Sequence, residues 1–171
     1  MFGKFSYSWK KELQKIKRLI KEDVMKKDLI SIGNCGEYFV AAELERHGFT
    51  VAVPMSNTPD FDILAVSKND SNKQYLIQVK TQSGRIPSWT LNKKNETLEG
   101  HNIVYIFVTL NEYDIPDYYI VPSKVVAKTI KRTHQEWLDT PGKKGQKHND
   151  GTMRKFRLTE DSEYKNAWNL L

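Results

Sequence analysis

The chain has a single cysteine among its 171 residues, so no disulfide forms within it, and one thiol fits a reducing compartment. Cys35 has no base arranged near it in sequence and is expected as a small core residue. No apolar stretch approaches the roughly 20 residues that span a bilayer. Lysines recur through the N-terminus, where a signal peptide needs an unbroken apolar core. A soluble, cytoplasmic protein with no membrane partner is therefore expected. The four histidines, His47, His101, His134 and His148, are scattered without the spacing of a zinc site. There is also no glycine-rich phosphate loop, internal repeat or low-complexity tract.

What the chain does have is charge. Lysine and arginine number 27 against 21 acids, a net +6, and the excess is unevenly placed. One basic concentration runs from Lys4 to Lys27. The other comprises Lys143, Lys144, Lys147, Arg154, Lys155 and Arg157, and the centre between them is comparatively acidic. Basic flanks around an acidic centre suit a polyanion partner with a metal ion in the middle. A lysine-rich face that is simply solvated is the plain alternative.

The length suits one domain over residues 1–171, with 1–30 as an amphipathic helical extension and 141–171 as a basic C-terminal loop and tail. Leu13, Ile16, Leu19, Ile20 and Val24 recur at helical spacing and predict a helix over residues 10–27. A second helix is expected from Ser31 or Gly33 to His47, capped by Gly48, with Val40, Ala41 and Leu44 facing inward and Glu37 on the same stripe. Strands follow at Phe49–Val53, Phe61–Val66 and Lys73–Lys80, the last two joined by a turn over residues 68–72. Residues 82–102 suit a long loop, with a short strand at Trp89–Leu91 and a helical turn at Lys94–Leu98. The apolar run Ile103–Leu110 predicts a buried central strand and Tyr118–Val121 another. A helix then starts at Pro122-Ser123, with Ser123 as its N-cap. Pro141–Gly151 is a polar surface loop, Met153–Leu158 a last strand, and Asp161–Leu171 a closing helix packed through Tyr164, Trp168 and Leu171. The fold class is α/β, a central mixed sheet flanked by helices.

The chemistry gathers on the first hairpin. Side chains alternate along a strand, so Gln78 and Lys80 share one face while Ile77 and Val79 take the other. Pairing of the two runs would bring Asp62, Gln78 and Lys80 to one end of the sheet. Phosphodiester hydrolysis requires divalent cations to neutralise phosphate and lower the pKa of water, with side chains to position both. Mg²⁺, or Mn²⁺ in its place, is satisfied by one or two carboxylates and several waters. Asp62 would be the principal ligand, with Gln78 and the Val79 carbonyl as further oxygens. Glu37 would bind the ion directly or through a water, and Lys80 would orient water or stabilise developing charge. Asp60 has the same strand parity as Asp62 and could assist. Glu37 also has a simpler reading, an acid near a helix start that the dipole favours.

Glu37 within Gly36-Glu37-Tyr38-Phe39-Val40-Ala41, Asp62 before its apolar run, and Gln78-Val79-Lys80-Thr81 together resemble the PD-(D/E)XK nuclease superfamily. The resemblance covers residues 31–121. It implies a restriction-endonuclease-like core of helix, three-stranded meander, helix and strand, as in restriction enzymes, Holliday junction resolvases and repair nucleases. Two departures stand out. Gln78 occupies the position usually held by Asp or Glu, and residues 82–102 mark the expected crossover helix poorly.

Three functions stay open at this point. The leading one is a metal-dependent endonuclease acting on DNA. The second is a nucleic-acid-binding module on the same fold that has lost catalysis, as Gln78 permits. The third is an interaction protein forming a homodimer through the helix at residues 10–27.

Overall fold

The structure is a computed structural model that describes residues 6–54, 61–84 and 86–171; within residues 6–28, side chains are described only at Glu12, Lys15, Ile16 and Leu19. Asp60 lies outside the described residues.

Helix α1 runs without interruption from Ser6 to Arg46. Two helices were expected, divided near residues 28–33. That junction contains no proline, and a single interior glycine costs only about 1 kcal/mol, too little to end a helix of this length. At 41 residues the helix is about 60 Å long, twice the width of a small domain. It ends at Gly48, which holds φ +85, a conformation that glycine adopts without penalty. Glu45 ties this end to the sheet by accepting from the Val51 N–H at 3.2 Å and from Lys68 Nζ at 2.6 Å.

A five-stranded mixed sheet follows, in the order β1-β2-β3-β5-β6. Strands β1 (Phe49–Ala52), β2 (Ile63–Ser67) and β3 (Gln74–Gln82) form the antiparallel meander. Strand β5 (Ile103–Asn111) lies parallel to β3, and β6 (Asp114–Pro122) returns antiparallel on the outer edge. Strand β6 begins four residues earlier than Tyr118, taking in Pro116. An edge strand tolerates proline because one side of its backbone needs no partner.

The connection from β3 to β5 is not a helix. It contains β4 (Ser88–Asn92) and a single 3-10 turn, Lys93–Glu96. Strand β4 pairs antiparallel with β7 (Met153–Arg157), forming a separate two-stranded ribbon. Helix α2 (Ser123–Asp139) packs beside this ribbon.

Alternation along the strands divides the core in two. One face buries Val40 and Leu44 of α1 against Ile63, Ala65, Ile77, Val79, Ile106 and Ile120. The other buries Trp89, Leu91 and Phe156 of the ribbon and Val126 and Ile130 of α2 against Tyr105, Phe107, Tyr119 and Val121. Each buried aliphatic side chain contributes about 1.5–3 kcal/mol.

Three further expectations are corrected. Ser123 does not cap α2 with its side chain; it is fully buried, and its hydroxyl accepts from the Gly100 N–H at 3.1 Å and donates to the Gly100 carbonyl at 3.0 Å. Residues 161–171 form turns and one short 3-10 segment, Trp168–Leu170, in place of a helix. They pack through Leu171 as expected: it is buried, and its carbonyl accepts from Lys73 Nζ at 3.2 Å and the Tyr75 hydroxyl at 3.1 Å. Cys35 is exposed on α1, away from the core stripe of Val40 and Leu44. Among the described residues, no helix is long and apolar enough to cross a membrane.

Candidate active site

The meander's register makes Ile63 face Ile77, which leaves Asp62 opposite Gln78 just before β2 begins. Asp62 remains attached to the ladder through its own N–H, which donates to the Ile77 carbonyl at 2.8 Å. Its carboxylate then takes the place of backbone. Oδ2 accepts the Val79 N–H at 2.7 Å, fixing the side chain against the middle of β3.

Lys80 meets the same oxygen. Its Nζ lies 3.4 Å from Asp62 Oδ2 and donates to the Val79 carbonyl at 2.8 Å. The pair is neither buried nor free in solvent: the side chains are 29% and 25% exposed. That accessibility separates it from a core ion pair and leaves room for a ligand.

Glu37 comes from the other direction. It projects from α1 one turn before Ala41, and it is half-buried. Burial pushes its carboxyl above the usual carboxylate range; Asp62 pushes it further up, while Lys80 partly offsets both. The electrostatics therefore place Glu37 in the field of both hairpin residues. Lys80 is paired with Asp62 alone, so the Glu37 carboxylate adds negative charge that a bound cation would relieve.

The helix can approach this closely because of Gly36. A Cβ at that position would lie 1.8 Å from Thr81 Oγ1. Thr81 Oγ1 is itself buried with no hydrogen-bond partner among the described residues. Gly36 and Thr81 thus set the height of α1 over β3, and with it the reach of Glu37. Both residues stand in the quoted motifs, yet no role follows for them from sequence alone, because the contact joins positions 45 apart.

Gln78 is buried at 6% exposure and lies beside Tyr105 in the β3–β5 register. It is uncharged, and its neighbours on that face are the aromatic residues of the ribbon core. Asp62, Lys80, Glu37 and the Val79 backbone are thus gathered at one place, with Gln78 on the adjoining strand position. No group of three or more histidine, cysteine or acidic residues suited to a metal occurs among the described residues. The donor set here is two carboxylates and backbone oxygen, which fits a hard cation that keeps several waters. It does not fit a zinc site.

The second basic segment divides. Lys143, Lys144, Lys147, Lys155 and Arg157 are exposed, as expected of residues that meet a polyanion. Arg154 is not: it is 2% exposed. Its guanidinium bonds Glu96 and the carbonyls of Gly151 at 2.7 Å and Met153 at 3.0 Å, and lies 3.3 Å from Asp150. It cannot reach a phosphate backbone.

Residues 36–116 match the family model Mrr_cat, described as restriction endonuclease. Among solved structures, the chain is similar to the bacterial homing endonuclease I-Ssp6803I at 13% identity and a TM-score of 0.47, covering 81% of this chain and 87% of that one. It is also similar to Hjc, a Holliday junction resolvase from the archaeal hyperthermophile Archaeoglobus fulgidus, at 14% identity and a TM-score of 0.41, covering 73% and 83%. No curated protein matches the chain. The matched segment opens at Gly36, one residue before Glu37, and runs through the meander and β5 into β6, the part of the chain that is similar to a restriction-endonuclease domain.

Proposed function

We propose that this protein is a metal-dependent endonuclease that hydrolyses phosphodiester bonds in DNA, using Glu37, Asp62, Gln78 and Lys80. The observation that carries the reading is the pair of carboxylates around Lys80, with Glu37 raised by burial and by Asp62. Asp62 and Glu37 would hold Mg²⁺ or Mn²⁺, with the Val79 carbonyl and the Gln78 amide completing the shell. When bound, such an ion neutralises phosphate charge and lowers the pKa of an attacking water. Lys80, steadied by Asp62 and the Val79 carbonyl, presents an ammonium to the charge that develops on the phosphate. The buried strand position of Gln78 adds an oxygen without charge, so the negative field falls to Asp62 and Glu37.

Plasmid and branched DNA incubated with Mg²⁺ or Mn²⁺ test this directly. Wild type is expected to cleave, and Lys80→Ala and Asp62→Ala are expected to be inactive. Cleavage that survives both substitutions would sink the assignment.

One observation favours a second reading, a binding module without catalysis. Lys80 already occupies both the Val79 carbonyl and Asp62 Oδ2, and Gln78 brings no charge to compete for the site. That protein would bind DNA in a salt-dependent way and never cut it. A homodimer built on residues 10–27 draws support from Ile16 and Leu19, which are 48% and 55% exposed. Light scattering with and without that segment reads its mass.

A further inference from the structure

A groove lies along the seam of α2 and β7, and the hydrolytic reading does not use it. It encloses 480 Å³. Its floor is largely apolar, with Trp137 44% exposed and Met153 61% exposed. Thr133 adds to this character because its hydroxyl is turned onto the helix carbonyls of Thr129 and Ile130, at 2.9 and 3.4 Å. The rim is cationic: Arg132 comes from α2, and Lys155 and Arg157 come from β7. No carboxylate lines the groove among the described residues.

The strand period creates this rim. Arg154 and Phe156 point inward and are buried, so Met153, Lys155 and Arg157 share the opposite face of β7. The charge there is only partly compensated. Lys155 Nζ donates to a neutral partner, Thr90 Oγ1, at 2.7 Å, whereas Arg132 pairs with Glu136 on the exposed helix surface at 2.6 Å.

The indole is also held in place. His148 stacks on Trp137 with ring centroids 4.0 Å apart, and His134 lies at 5.4 Å, anchored by Asp150 at 2.9 Å. An aromatic surface fixed in advance loses little freedom on binding.

An apolar floor with a fixed indole and three cations suits a nucleotide, the base against the aromatic and the phosphates on the rim. Inorganic phosphate would gain nothing from the floor. A duplex keeps its bases stacked and cannot offer them. We propose that the α2–β7 groove binds a single-stranded nucleic-acid segment. The choice of nucleic acid as its ligand rests on the nuclease reading above. The groove and the hydrolytic site lie on opposite sides of the ribbon, because Trp89 and Phe156 fill the space between ribbon and sheet. A strand in the groove is therefore held apart from the bond being cut.

Fluorescence anisotropy of a short labelled single strand, measured with EDTA so that nothing is cleaved, tests the groove alone. The double charge reversal Lys155→Glu with Arg157→Glu is expected to weaken binding about tenfold or more. Trp137→Ala should weaken it about fivefold or more. Both reversed residues are exposed, so the fold is expected to persist, and an unchanged melting temperature verifies that. Polyglutamate should not displace the strand. Binding of the reversed variant within about twofold of wild type would overturn the proposal, as would displacement by polyglutamate. The nuclease reading fails separately: a wild type that never cleaves yet loses strand binding on charge reversal keeps the groove and discards hydrolysis.

Discussion

Two clusters of opposite charge stand in this molecule, and they differ in how their charges balance. Around Arg154, two carboxylates meet two permanent cations: Glu96 and Asp150 bond the guanidinium, Lys93 bonds Asp150 at 2.9 Å, and the His134 ring bonds Asp150 at 2.9 Å. These partners pull the Asp150 carboxyl down to about 2. Around Lys80 the balance is the reverse, with two carboxylates to one ammonium and Glu37 pushed up. A matched cluster has nothing left to bind and holds the fold together. An unmatched, half-exposed cluster stores electrostatic cost that a ligand can release. Residue types alone do not separate the two.

If this contrast is right, substitutions in the two clusters should fail in different assays. Asp62→Ala is expected to lower DNA cleavage by about 10³-fold or more, in the range seen when electrostatic groups leave a reacting centre, with a small change in melting temperature. Arg154→Met should do the opposite. It leaves Glu96 and the turn carbonyls unpaired and is expected to cost about 3–5 kcal/mol in urea unfolding, while the folded fraction cleaves at the wild-type rate. Equal loss of stability in both variants would erase the distinction.

Gly36→Ala probes the seat of α1. Its new methyl meets Thr81 and forces the helix outward, costing about 1–3 kcal/mol. Cleavage should fall with it, because Glu37 moves with the helix. Retained activity in this variant would remove Glu37 from the site.

The smallest effects are in the pH dependence. The folded pKa of Glu37 is raised above its ordinary 4.5, so the folded state holds its proton more firmly than the unfolded chain. Stability is then lost as pH rises from about 4.5 through the raised value. Glu37→Gln should therefore gain melting temperature relative to wild type as pH rises through that window without metal, and should show a weaker gain on adding Mg²⁺. Asp150 has the opposite sign. Its folded pKa lies below 3.8, so its contribution is complete above pH 3.8 and disappears as pH falls through about 2. Asp150→Asn should flatten that acid limb alone.

Much of the frame was legible in the sequence because it rests on local signals. The apolar run Ile63–Val66, the strand Leu76–Lys80 with Gln78 and Lys80 on one face, the turn between them and the apolar run at Ile103 all report their own environment. Gly48 announced the helix end in the same way. What stayed hidden depends on partners far along the chain. Arg154 looked like a surface cation because Glu96 is 58 residues away. The β4–β7 pairing was invisible for the same reason, although both short strands were expected. Ser123 carries the composition of a cap, but its partner is Gly100. In the candidate site, Asp62 and Lys80 were readable from strand parity, whereas the closeness of Gly36 to Thr81 needed the packed helix.

The ribbon also bears on the order in which the molecule is made. Strand β4 pairs with a segment far downstream, as in Thr90 and Lys155, 65 residues apart. Such closure costs chain entropy before any contact repays it, and it cannot begin until β7 has left the ribosome. The meander bearing Asp62 and Lys80 can pair before β7 has been synthesised. The aromatic face formed by Tyr105, Phe107 and Tyr119 receives Phe156 only once β7 has joined β4, although Val126 and Ile130 of α2 come earlier in the chain. The hairpin, whose partners are close in sequence, can therefore form before the groove that depends on β7.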